Sequence, residues 1–166
     1  MKKRFKILFI CTGNICRSPM AEGLLRSKLP KKLKSKVIVE SAGTMGINNS
    51  HASIEAVVAL WEKDIDISKH RSKGVTSKLL KEADIIFVMA ENHRIYLKNL
   101  FPDIRDNVFL LKTFDRDSNY KGDISIKDPI GGTIETYKDS RDAIEKEIDR
   151  IMPRLIQLIE QTLSQK

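Results

Sequence analysis

Phe5-Lys6-Ile7-Leu8-Phe9-Ile10-Cys11-Thr12-Gly13-Asn14-Ile15-Cys16-Arg17-Ser18-Pro19-Met20-Ala21-Glu22 is the stretch from which the fold can be read. An apolar, β-rich run stops at Cys11, and the turn-capable pair Gly13-Asn14 follows at once, so a buried strand passes into a tight polar loop. Ser18 and Pro19 then predict an N-cap and a first helical residue, because proline lacks the amide hydrogen that is orphaned there anyway. Loop amides and a helix N-terminus therefore converge on one spot, a ready anion site. Cys11 opens the loop and Arg17 closes it, with a hydroxyl residue next. A thiol beside an anion cradle and a guanidinium is chemistry suited to attack on phosphorus.

Outward from this stretch, strands and helices alternate. Met20, Leu24 and Leu25 have helical spacing as far as Pro30, and the lysine-rich residues 31–36 read as a polar connection. Val37-Ile38-Val39 predicts a second strand ending at Ser41-Ala42-Gly43-Thr44. Ile54, Val57, Val58 and Trp61 predict a helix over 52–62 with Trp61 in the core. A short helix is expected at 76–81, a third strand at 84–89, a helix at 91–100 and a fourth strand at 108–111. The last helix carries Ile144, Ile148, Ile151, Leu155, Ile159 and Leu163 at three- and four-residue steps. Pro153 is expected to kink or split it near Met152. The pattern is that of an α/β protein, one domain over residues 1–166, with a parallel sheet between helical layers. In such sheets ligands sit beyond the carboxyl ends of strands, where Cys11, Ser41 and Met89 all fall.

Composition narrows the functional classes. At 166 residues, 41% hydrophobic and 31% charged, the chain is an ordinary soluble globular protein. A formal charge of +8 favours acidic partners. The basic residues, among them Lys2, Lys3, Arg4 and Lys6, are dispersed and lack interleaved aromatics, so nucleic acid is not an expected partner. The apolar run 7–10 is too short for a signal peptide and no stretch is long enough to span a membrane, which points to a cytoplasmic protein without membrane partners. The only cysteines, Cys11 and Cys16, exclude a disulfide framework, and three scattered histidines offer no metal site, so no metal or other cofactor is expected. In a reducing compartment two thiols so close read as a reactive thiol with a redox neighbour.

The thiolate is the nucleophilic form of cysteine, and helix N-termini and cationic neighbours favour it. Arg17 offers a planar donor fork for two phosphoryl oxygens. Glycine-rich nucleotide loops are absent. A phosphatase needs an acid for the leaving group, and Asp128, in the chain's one Asp-Pro dipeptide, is the candidate, with Gly131-Gly132 beyond it. His70 lies where it can support a loop carbonyl or an asparagine. His51 and His93 read as solvent-facing helix residues.

These residues resemble the low-molecular-weight protein tyrosine phosphatase family. The likeness runs through Cys11-Thr12-Gly13-Asn14-Ile15-Cys16-Arg17-Ser18-Pro19-Met20-Ala21-Glu22, Ser41-Ala42-Gly43, Ile65-Asp66-Ile67-Ser68 with His70-Arg71-Ser72, and Asp128-Pro129. The resemblance implies a single three-layer domain around a four-stranded parallel sheet and metal-independent hydrolysis through a phosphocysteine on Cys11. It implies that Arg17 and the amides of Thr12, Gly13, Asn14, Ile15, Cys16 and Arg17 hold the phosphoryl oxygens. Asp128 would be acid and then base, and Asn14, Ser18, Ser41 and His70 would brace the loop. Cys16 matches a neighbour that forms a reversible disulfide with the nucleophile. The implied partners are phosphorylated proteins, met by a monomer.

The substrate is signalled in two directions. The run Asp128–Asp142 looks like the bacterial branch that includes protein arginine phosphatases, yet those typically carry threonine at the place of Ile15 and an aromatic at that of Ile130. A branched apolar residue at Ile15 is the tyrosine-phosphatase pattern. The aromatics that eukaryotic relatives carry after Asp-Pro, and the one expected near Met45 and Gly46, are missing. Phosphotyrosine is the expected substrate and phosphoarginine the alternative. Arsenate reduction would need more cysteines, and a binding module with the same cradle would need no thiolate.

Overall fold

A computed structural model describes residues 4–165; Lys2 and Lys3 lie outside the described residues. Ten elements follow in order: β1 (Phe5–Cys11), α1 (Arg17–Lys28), α2 (Lys31–Lys34), β2 (Val37–Gly43), α3 (Ile54–Trp61), α4 (Ser77–Glu82), β3 (Ile85–Val88), α5 (Glu91–Leu100), β4 (Val108–Leu110) and α6 (Ile134–Ser164). The strands form one parallel sheet in the order β2-β1-β3-β4. The chain leaves β1 to build β2 on one side and later returns to place β3 on the other. The C-terminal end of β1 is thus the topological switch point, and the 12–16 loop occupies it.

β1 is buried on both faces, and its period of two divides it between two cores. Phe5, Ile7, Phe9 and Cys11 pack with Met20, Leu24 and Leu25 of α1, Ala56 and Leu60 of α3, and Ile144, Ile148, Ile151 and Leu155 of α6. Leu8 and Ile10 pack on the other side with Leu80 of α4 and Leu97 of α5. The result is the expected three-layer α/β arrangement. In the larger core Phe9 stacks on Phe87 with ring centroids 5.6 Å apart, and Phe114 meets Phe87 edge to face at 5.2 Å.

Four local expectations are corrected. Ser18 is not the cap of α1: Cys16 is, and Ser18 and Pro19 lie inside the first turn. The Ser18 hydroxyl is already engaged by Cys11 and Asn14, while Pro19 still falls among the first four residues, whose amides lack intrahelical acceptors. Residues 31–34 form the short α2, which buries Leu33. Trp61 is 64% exposed, with Ile54 and Val58 on the same outer face of α3. The buried face of that helix is Ala56, Ala59 and Leu60 instead, since small residues allow close approach to α1 and α6. α6 is not split: it runs unbroken through Pro153, with Ile151 and Leu155 fully buried on either side of the missing hydrogen bond.

Candidate active site

The loop after β1 is shaped by Asn14, whose φ of +56° lies in the left-handed region that asparagine tolerates better than most residues. Its side chain is fully buried and its polar groups are tied down. Nδ2 donates to Ser18 Oγ at 2.8 Å and to Ser41 Oγ at 2.9 Å, and Oδ1 accepts from the Lys73 amide at 2.9 Å. The Asn14 carbonyl accepts from His70 Nε2 at 2.8 Å. Ser41, at the end of β2, donates in turn to Glu22. Burial holds His70 below the usual imidazole range, partly offset by its bond to Asn14. Gly43 lies beneath the loop; a Cβ there would sit 2.7 Å from the Thr12 carbonyl and 2.9 Å from the Asn14 nitrogen. Only glycine permits this approach.

Cys11 sits at the end of β1, buried, with Sγ 2.9 Å from Ser18 Oγ. Because Asn14 donates to that oxygen, the serine hydrogen is available to the sulfur. α1 begins directly at the end of the loop, so the N–H groups of its first turn have no intrahelical acceptors and its dipole favours an anion there. Arg17 is buried beside them. Nη1 donates to the Ile126 carbonyl at 3.0 Å, and Nη2 donates to Asp128 Oδ2 at 2.9 Å, with Thr12 Oγ1 at 3.4 Å. Arg17 Nε is buried without a partner. Such an unmet donor costs about 1–3 kcal/mol.

Asp128 reaches the loop from far along the chain. The Ile126 amide bonds to Met89 O at 2.7 Å, and Ser140 Oγ of α6 donates to Lys127 O at 2.7 Å, fixing the segment over the sheet edge. Asp128 Oδ1 accepts the Ile130 amide at 3.2 Å, and its side chain stays 40% exposed. The structure therefore brings together Cys11, Thr12, Asn14, Arg17, Ser18, Ser41, His70 and Asp128. Gly13 and Ile15 are on the same loop. The ideal Cβ position of Gly13 lies 3.4 Å from the Ile15 side chain and 3.9 Å from Ile47, so apolar side chains wall this part of the loop.

Cys16, on the same loop, has partners of its own. Its buried thiol lies 3.4 Å from Tyr137 Oη and donates to Ser53 Oγ at 3.5 Å. Burial pushes it up, and burial also raises Tyr137 to about 12, so both remain protonated near neutrality. Both cysteines are free thiols.

Several participants were hidden in the sequence. His93 is corrected most sharply: it is 1% exposed rather than solvent-facing, with Nε2 2.9 Å from Thr12 Oγ1 and Nδ1 accepting the Ala90 amide. His51 is exposed but precedes α3 rather than lying in it. Ser53, Tyr137, Glu22 and Ile126 were also missed. One signal for His93 exists: α5 starts just after β3, so its first turn lies at the carboxyl edge where the sheet's ligands bind.

Residues 6–164 match the family model of the low molecular weight phosphotyrosine protein phosphatases. A protein-arginine-phosphatase of Geobacillus stearothermophilus is 41% identical over 152 residues, covering 91% of this chain and 96% of the relative. The low molecular weight protein tyrosine phosphatase of T. tengcongensis superposes with a TM-score of 0.80 at 36% identity, over 90% of this chain and 99% of that one. A YwlE arginine phosphatase with serine in place of its active-site cysteine, and with that serine phosphorylated, superposes at 0.80 and 37% identity, over 91% of this chain and 95% of that one. The chain belongs to the low molecular weight phosphotyrosine protein phosphatase family and is a cysteine-dependent phosphatase of phosphorylated proteins.

Proposed function

We propose that this enzyme hydrolyses phosphotyrosine on proteins, and that the observation carrying this choice is Ile15. Together with Ile47 it gives the loop an apolar wall, which suits a phenyl ring and offers a guanidinium no acceptor. The Cys11 thiolate attacks phosphorus, the bond from phosphorus to the tyrosine oxygen breaks, and Asp128 protonates that oxygen. Asp128 then takes a proton from water as the water oxygen attacks phosphorus. The sulfur–phosphorus bond breaks, releasing phosphate and restoring the thiolate. Arg17 and the amides of residues 12–17 hold the phosphoryl oxygens throughout, and Asn14, Ser18, Ser41 and His70 keep the loop in shape. The serine phosphorylated in the related YwlE variant supports the Cys11 position as the phosphoryl acceptor.

The second reading is phosphoarginine, favoured by the protein-arginine-phosphatase name of a 41% identical relative. Kinetics on paired phosphotyrosine and phosphoarginine peptides separate the two. Wild type favours phosphotyrosine, and Ile15→Thr shifts the ratio of kcat/KM toward phosphoarginine by about tenfold or more, the scale of a changed pocket contact. Wild-type preference for phosphoarginine overturns the choice of tyrosine.

The enzyme works in the cytoplasm as a monomer, without nucleic-acid or membrane partners. In support, several of its lysines are tied in ion pairs, such as Lys28 with Glu145 and Asp149 and Lys138 with Glu62. Among the described residues no helix is long and apolar enough to cross a membrane.

Cys16 protects the nucleophile. Peroxide converts the Cys11 thiolate to a sulfenic acid and releases hydroxide; the Cys16 thiol loses its proton, its sulfur attacks Cys11, and water leaves. Because burial holds Cys16 protonated, closure quickens as pH rises. Dithiothreitol restores most activity to peroxide-treated wild type and little to Cys16→Ser, as followed by activity after reduction. Equal recovery in both refutes the pairing.

A further inference from the structure

His93 has both ring nitrogens committed. Nδ1 accepts the Ala90 amide at 3.1 Å, and Nε2 lies 2.9 Å from Thr12 Oγ1. A backbone N–H can only donate, so Nδ1 is bare and the single hydrogen of the neutral ring sits on Nε2, where it is donated to Thr12. Burial, and then the charge of Arg17, pushes His93 down to about 4 against the opposing pull of Asp128. The neutral form therefore persists near neutral pH.

Thr12 Oγ1 also faces Arg17 Nη2 at 3.4 Å. A hydroxyl has two acceptor sites and one hydrogen. Both acceptor sites face donors, so the hydrogen is turned away from His93 and Arg17. The same Arg17 nitrogen donates to Asp128 Oδ2 at 2.9 Å, which puts the Thr12 hydroxyl on the acid's side of the cradle.

We propose that His93 is a positioning residue: it fixes the Thr12 hydroxyl so that its hydrogen donates to the phosphoryl oxygen on the Asp128 side during transfer. Thr12 thereby adds a side-chain donor to a cradle otherwise built from amides and Arg17. This rests on the reading of the Cys11 loop as the phosphoryl site.

The test compares wild type with Thr12→Val, His93→Asn, His93→Gln and the double variant Thr12→Val/His93→Asn. Asparagine keeps an acceptor near the Nδ1 position but lacks the donor, whereas glutamine places an amide donor near Nε2. Readouts are kcat on an aryl phosphate and inhibition by vanadate, which mimics the trigonal-bipyramidal phosphorus. Thr12→Val and His93→Asn each lower kcat and weaken vanadate inhibition by about tenfold, the scale of one hydrogen bond to a charged group. The double variant falls no further than Thr12→Val, and His93→Gln recovers most of the loss. Losses that multiply to about a hundredfold in the double variant overturn the proposal, because uncoupled residues add in free energy. Should His93→Asn fail to fold, Thr12→Val decides alone: wild-type kcat and vanadate inhibition overturn the proposal. An active Cys11→Ser defeats the underlying site reading, whereas an inactive Cys11→Ser beside a fully active Thr12→Val defeats only the role of His93 and Thr12.

Discussion

Cys11→Ser lowers turnover of an aryl phosphate by about a thousandfold or more while inorganic phosphate still binds. A serine hydroxyl is a poor nucleophile without a general base beside it, and the polar neighbour of Cys11 Sγ is Ser18 Oγ, a hydroxyl that cannot serve as one. The cradle does not depend on the sulfur. Asn14 is held by Ser18, Ser41, Lys73 and His70, and Arg17 by Ile126 and Asp128. Initial rates and calorimetric phosphate titration measure the two properties separately. Activity within tenfold of wild type contradicts the assignment of the nucleophile.

Asp128→Ala has the second largest effect, and its dependence on the leaving group is diagnostic. A general acid contributes about 10²–10⁴-fold when the departing oxygen needs a proton, so phenyl phosphate suffers a loss of that order. An aryl phosphate with a strongly acidic phenol leaves without help and loses far less. The carboxylate is 40% exposed and held by Pro129 and the Ile130 amide, so it is accessible and aimed. Removing it also frees Arg17 Nη2 from its ion pair, with Thr12 Oγ1 still an acceptor of that nitrogen, which leaves phosphate affinity equal or tighter. A plot of kcat/KM against leaving-group acidity measures the difference between the two substrates, and parallel losses on both remove Asp128 from its role.

How much of this was legible depends on the kind of signal. The strand, loop and helix start around Cys11 were legible because a continuous apolar run, turn residues and a proline agree over one short stretch. Asp128 was legible only as a chemical candidate. What brings it to Arg17 is a backbone bond from Ile126 to Met89 and the bond from the Ser140 hydroxyl, on a distant helix, to the Lys127 carbonyl, neither of which a local pattern announces. Trp61 misled because the spacing of α3 offers two stripes, and the one with large side chains is outside. The inner stripe succeeds with alanines because close approach to α1 and α6 recovers contact area.

His93 illustrates the opposite failure. Polarity assigned it to solvent, yet a histidine with both nitrogens bonded can be buried at little cost. Its partners, Ala90 and Thr12, lie three and eighty-one residues away, and the distant one is set by the parallel pairing of β1 with β3. Ser18 shows that a motif can be placed correctly in the chain and misread in role. Its hydroxyl serves Cys11 and Asn14 rather than the helix end.

The most direct test of the account is a rapid denaturing quench during turnover of a phosphotyrosine peptide, followed by mass spectrometry with fragmentation of the peptide that carries both cysteines. A phosphoryl group on Cys11 is the predicted result. A phosphoryl group on Cys16, or none on either thiol while product forms in a burst, contradicts a phosphocysteine mechanism at Cys11.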